Sequence, residues 1–173
     1  MGVLRLGHVD VTVTDLDLAT AYYTEVMGML VTDRDADSVY LKCWDEVDHH
    51  SLRLVYAPRV GMDLMSWKVE HEDDLSDLEN KVTRYGFPVR RISKGESRGQ
   101  GESVRFETPS GHTMELVHDV ERVGRAIPLV NPAPFPTGIP GIAPPRMDHV
   151  LVTAEEVGEA TTFYTDVLGF RTT

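Results

Sequence analysis

The chain has 173 residues, enough for one domain and part of another. Its 41% hydrophobic content suits a globular protein, while 28 acidic against 17 basic residues leave a net charge of −11, which argues against a nucleic-acid backbone as partner. No apolar run approaches the roughly 18–20 residues of a membrane span, and the N-terminus lacks the apolar stretch and cleavage site of a secretory signal. The single cysteine, Cys43, has no internal disulfide partner, so a reducing cytoplasm is expected; within the run YLKCW it reads as a packed thiol.

Residues 6–14 alternate as a strand, with Leu6, His8, Asp10 and Thr12 on one side and Val9, Val11 and Val13 on the other. Asp15 or Asp17 can cap a helix running to about Met27. Leu18, Tyr22 and Val26 recur at helical spacing and are expected to face a sheet, and Gly28 stands where a helix ends. Strands are expected at about 29–34, 38–44 and 51–57, making the unit β-α-β-β-β. The same order returns. A strand at 62–70 precedes a helix at 72–85, with Leu75, Leu78 and Val82 inward and Gly86 closing it. Strands follow at about 87–92, 102–107 and 112–118, with a turn at 109–111. Seven of the ten prolines lie between Pro128 and Pro145, a density that excludes helix and central strand from 127–145. A third copy then starts: a strand at 146–153, a helix at about 155–168, and Phe170 opening the next strand.

Two of these segments are copies of each other. Residues 8–28, HVDVTVTDLDLATAYYTEVMG, align without a gap to 149–169, HVLVTAEEVGEATTFYTDVLG, and ten of the 21 positions are identical. A repeat this far apart marks a duplicated supersecondary unit rather than a short-period solenoid. A strand–helix fragment cannot bury its own apolar face. Val150, Val152, Phe163, Val167 and Leu168 are therefore expected to be exposed unless something covers them, and the chain beyond about residue 145 to be unstable alone or to pair with another copy.

His149 and Leu151 share one face of the expected strand. A histidine there can project imidazole into a concavity, or can be a rim residue satisfied by a hydrogen bond; its recurrence as His8 favours a role. His49 and His50, beside Asp45, Glu46 and Asp48, read either as a metal cluster or as a solvated loop. The acidic run at 71–79 is a helix N-terminus, and the loop at 95–103 lacks the context of a phosphate-binding loop.

The β-α-β-β-β units, the histidine on a unit's first strand and the ending FETPSGHTMEL resemble the vicinal oxygen chelate superfamily. More closely, GHVDVTVTDLDLATAYYTEVMGML, VYLKCWDEVDHHSLRL, GMDLMSWKV and GIAPPRMDHVLV resemble the N-terminal half of catechol 2,3-dioxygenases, the type I extradiol dioxygenases. The resemblance implies an α+β fold of tandem βαβββ modules forming a curved mixed sheet with helices outside. It implies an N-terminal domain at 1–126 (modules at about 1–60 and 61–126), a proline-rich linker at 127–145, and the start of a catalytic domain at 146–173.

It further implies Fe(II), with Mn(II) suited to similar ligands, held by two histidines and a glutamate. By position His149 is the first ligand; the other two, and the acid/base residues, are expected past residue 173. The implied substrates are a small aromatic diol and dioxygen, joined at the metal so that the ring opens beside the diol to a 2-hydroxymuconic semialdehyde. The implied assembly is a homo-oligomer, tetrameric by resemblance, with no nucleic-acid or membrane partner. Strand periodicity puts Leu151 at the substrate pocket. His8 and Glu115 mark the corresponding positions of the N-terminal domain as a degenerate pseudo-site, with Arg105 as the alternative partner of Glu115. The rival readings are a glyoxalase-type metal-dependent lyase or isomerase, and a metal-free small-ligand binder on the same fold.

Overall fold

A computed structural model describes residues 2–132, 134 and 136–172. The chain forms two packing units. The first comprises His8–Asp63 and Glu121–Met147; the second comprises the residues up to Gly7, Leu64–Val120, and those from Asp148 onward.

The first unit holds most of β1 (Val3–Val13), then α1 (Leu16–Ala21), β2 (Leu30–Arg34), β3 (Ser38–Lys42) and β4 (Leu52–Tyr56). β1 runs parallel to β4, with Val9 opposite Leu52 and Val13 opposite Tyr56, and antiparallel pairings add β3 and then β2. The second unit repeats this order with most of β5 (Gly61–Val69), α2 (Asp73–Tyr85), β6 (Val89–Ile92), β7 (Ser103–Glu107) and β8 (Thr113–Val117). Here β5 is parallel to β8, and β7 and β6 follow antiparallel. The expected tandem βαβββ arrangement is thus observed. No helix among the described residues is long and apolar enough to cross a membrane.

Local signals account for much of this. Asp15 caps α1 by accepting from the Leu18 amide at 2.9 Å. α2 buries Leu75, Leu78 and Val82, and Gly86 ends it at φ +111°, a conformation glycine adopts without steric cost. Cys43 is buried in the first core with Val39, Leu41, Leu52 and Leu54, and burial, its first cause, with the nearby Glu46 pushes its thiol up to about 12.

The first helix turns a different face inward from the one expected. Leu18, Tyr22 and Val26 are exposed, and Leu16, Ala19, Tyr23 and Met27 pack on the core. Both sets are apolar and helically spaced, so tertiary packing chooses between them. The helix also widens after Ala21 into a π-turn at Tyr22–Val26, which shifts the later residues around the axis.

The third copy corrects two expectations. Residues 146–154 form no strand, because a strand needs a ladder partner and none lies beside them among the described residues. The helix does form, as α3 (Val157–Thr162) with a π-turn at Phe163–Val167. Its apolar face is covered rather than exposed: Phe163, Val167 and Leu168 are buried within the second unit. The Phe163 ring is fully buried, with ring centroids 5.4 Å from Tyr85, 5.7 Å from Phe87 and 6.0 Å from Phe106. Phe170 adds an edge contact to Trp67 at 4.8 Å. Val150 and Val152 are half-buried.

The described residues of 127–145 contain neither helix nor strand, as the prolines require, yet the segment is strapped to the first unit. Ile142 and Ala143 donate their amides to Val26 O and Met27 O at 3.0 Å each, and the Trp44 indole donates to Ala143 O at 2.8 Å. The approach leaves no room at two glycines. A Cβ on Gly28 would sit 2.2 Å from Pro140 O, and one on Gly141 1.9 Å from Val26 O.

Tyr22 and Phe163 occupy equivalent repeat positions in opposite surroundings. Phe163→Ala should cost about 3–5 kcal/mol in urea unfolding, whereas Tyr22→Ala should cost no more than about 0.5 kcal/mol. Equal losses would contradict this packing.

Candidate functional site

A buried polar cluster lies in the first unit, where β1 passes the segment leading into β4. His8 and Asp10 are two residues apart on β1 and so project from the same face. Both are 5% exposed. Asp48, His49, His50 and Ser51 precede β4, and all four are buried. This corrects the solvated-loop reading of the histidine pair. The His49 amide donates to Glu121 O at 2.8 Å and Asp48 bridges to Arg122, so backbone partners from a later segment replace water.

The side chains form a chain of contacts. His8 Nε2 lies 3.4 Å from Asp10 Oδ1, and Arg53 approaches Asp10 Oδ2 at 3.2 Å. Arg53 also donates to Ser38 Oγ from Nε and Nη2, at 3.1 and 2.8 Å, and its guanidinium lies 5.4 Å from the Tyr40 ring centre. His50 packs against His8 with ring centres 4.5 Å apart and edge-on to Tyr40 at 5.0 Å. His49 and His50 face each other through Nδ1 atoms 2.9 Å apart, and His49 Nε2 lies 3.7 Å from Asp33 Oδ2. Burial above all, then His8, His49 and Arg53, holds the His50 imidazole well below its ordinary range, so it stands neutral at neutral pH. One ligand atom from each of His8, Asp10 and His50 lies within 4.8 Å of the others.

The residues singled out from sequence are distributed otherwise. His8 is in this cluster. Glu115 belongs to the second unit, on β8, where it is fully buried. Its register partner across β7 is Arg105, whose Nη2 and Nε donate to Glu115 Oε2 at 2.6 and 3.1 Å. His149 is exposed, and Leu151 is 89% exposed. Among the described residues no cluster of three or more metal-ligating side chains includes His149. Asp10 was missed by sequence reasoning, although its spacing from His8 on a strand was the signal that could have found it.

Glu115 and Arg105 make a test of burial against charge. Arg105→Met leaves the carboxylate buried without its cation and should cost about 3 kcal/mol. Arg105→Met combined with Glu115→Leu should recover most of that loss in thermal unfolding. A double variant no more stable than the single one would show that Glu115 has a role other than this pair.

Residues 62–121 match the catechol 2,3-dioxygenase-like N-terminal domain. A metapyrocatechase of Pseudomonas sp. (strain CF600) is 41% identical over 171 residues, 98% of this chain and 56% of that protein. A manganese-dependent 2,3-dihydroxybiphenyl 1,2-dioxygenase of Geobacillus genomosp. 3 is 29% identical over 98% of this chain and 54% of its own length. The crystal structure of the 2,3-dioxygenase LapB from Pseudomonas sp. KL28 superposes with a TM-score of 0.92 at 40% identity, covering 99% of this chain and 60% of that one. The chain spans about half the length of the curated relatives it matches.

Proposed function

We propose that this chain, homologous along its length to the extradiol dioxygenases and carrying their catechol 2,3-dioxygenase-like N-terminal domain, serves extradiol cleavage of catechol or a substituted catechol by dioxygen. The observation that carries this reading is the 41% identity to a metapyrocatechase across 98% of the chain.

In this reading residues 1–126 are an N-terminal domain of two modules, at about 1–60 and 61–126. Residues 127–145 connect it to the start of a catalytic domain at 146–173. The reaction needs a divalent metal, Fe(II) or Mn(II), to bring diol and dioxygen together as a Lewis acid. His149 supplies one imidazole donor. A single exposed donor does not hold such an ion, so two further ligands must come from elsewhere in a complete site. Leu151, on the same side of the segment, would line the pocket once the segment is paired as a strand. His8 and Glu115 stand at the corresponding positions of the first two modules as a degenerate pseudo-site, and the Glu115 carboxylate is already engaged by Arg105. A cytoplasmic location agrees with the lone buried Cys43, and a tetramer is the assembly that the resemblance suggests.

Oxygen uptake with catechol after anaerobic loading with Fe(II) tests this reading. It should be undetectable for the 173-residue chain and present in a version extended to the relatives' length. In the extended form His149→Ala should abolish uptake, and Leu151→Phe should change the preference among substituted catechols. Uptake in neither form, with no yellow ring-fission product, would overturn the proposal.

A further inference from the structure

We infer that His8, Asp10 and His50 form a binding site for one divalent transition-metal ion, of the Zn(II) class, inside the first unit. The site is separate from the ring-cleavage reading and does not depend on it.

The donor set is two imidazoles and a carboxylate, which suits Zn(II) and its first-row neighbours. All three side chains are buried, at 5, 5 and 3% exposure, and their ligand atoms already lie within 4.8 Å of one another. Two ligands at about 2.0–2.1 Å from a tetrahedral ion stand roughly 3.3 Å apart. The separation of His8 Nε2 and Asp10 Oδ1 is 3.4 Å. Little movement is needed to admit an ion between them.

The surrounding groups orient the donors as ligand-supporting groups do. Asp10 turns Oδ2 to Arg53 and Oδ1 to His8, so the guanidinium fixes the carboxylate from the side away from His8. Asp33 faces His49 Nε2 at 3.7 Å, and His49 and His50 meet through Nδ1 atoms 2.9 Å apart. In the tautomer in which His50 donates across that contact, its Nε2 lone pair is left for an ion. With Asp10 and Asp33 negative and Arg53 positive, a divalent ion is balanced to within one charge by its immediate surroundings.

The test uses the 173-residue chain, stripped with a chelator and titrated anaerobically with Co(II), whose visible d–d bands report low-coordinate nitrogen and oxygen ligation. One Co(II) per chain should bind. His8→Asn and His50→Asn should each weaken binding at least about 100-fold. His149→Ala, which removes the donor proposed for ring cleavage, should leave it unchanged. Anomalous diffraction from crystals of the Co(II)-loaded wild-type chain decides the location without any variant, and should place the ion between His8 and His50. No stoichiometric binding, an ion located elsewhere, or binding lost in His149→Ala would each overturn the site and show the cluster to be held by hydrogen bonds and Arg53 alone.

Discussion

Residues 9–13 are a strand because Leu52–Tyr56 run beside them: the five pairs are in parallel register, and the Val9 amide donates to Ser51 O at 2.9 Å. Every buried amide and carbonyl needs such a partner. The same His–Val–x–Val–Thr sequence at 149–153 has no strand beside it among the described residues and stays irregular. Pairing, not local sequence, therefore separates the two histidines. His8 is drawn under β4 and the segment before it, where water is excluded. His149 remains in solvent.

The helical half of the repeat follows a different rule. A helix satisfies its own backbone and needs only a cover for its apolar stripe. In the first copy Tyr23 and Met27 find that cover on the sheet of their own module. In the second, Phe163 finds it among Tyr85, Phe87 and Phe106. Ala160 and Leu168 are buried as their counterparts Ala19 and Met27 are packed, while Phe163 and Val167 are buried where Tyr22 and Val26 are exposed, so the second copy packs a wider face. A half-copy with no sheet of its own still keeps an ordered helix.

The elements governed by local chemistry were legible in the sequence: a helix cap at Asp15 or Asp17, of which Asp15 serves, the inward stripe and Gly86 of α2, the turn at 109–111 and the two βαβββ orders. The inward face of α1 was not, because Leu18, Tyr22 and Val26 are as apolar and as well spaced as the set that packs. The candidate metal cluster was only half legible. His8 stood out through the repeat. His50 sits in a short polar stretch that reads equally as a metal cluster or a solvated loop, and is buried because Glu121 and Arg122, more than 70 positions later, supply its neighbours' backbone partners. The end of the third copy was misread because covering residues from α2 and β7 cannot be seen in the segment itself.

In the function we propose, the ordered helix of the second unit would carry 146–154 as a segment waiting for strand partners, with His149 as one donor of a metal site. Amide hydrogen exchange read by mass spectrometry tests this most directly. The account predicts that 9–13 and 158–168 are protected by about a thousandfold or more, while 148–154 exchanges at the rate of an unstructured peptide. Protection at 148–154 equal to that at 9–13 would contradict it, since the segment would then be paired within this chain.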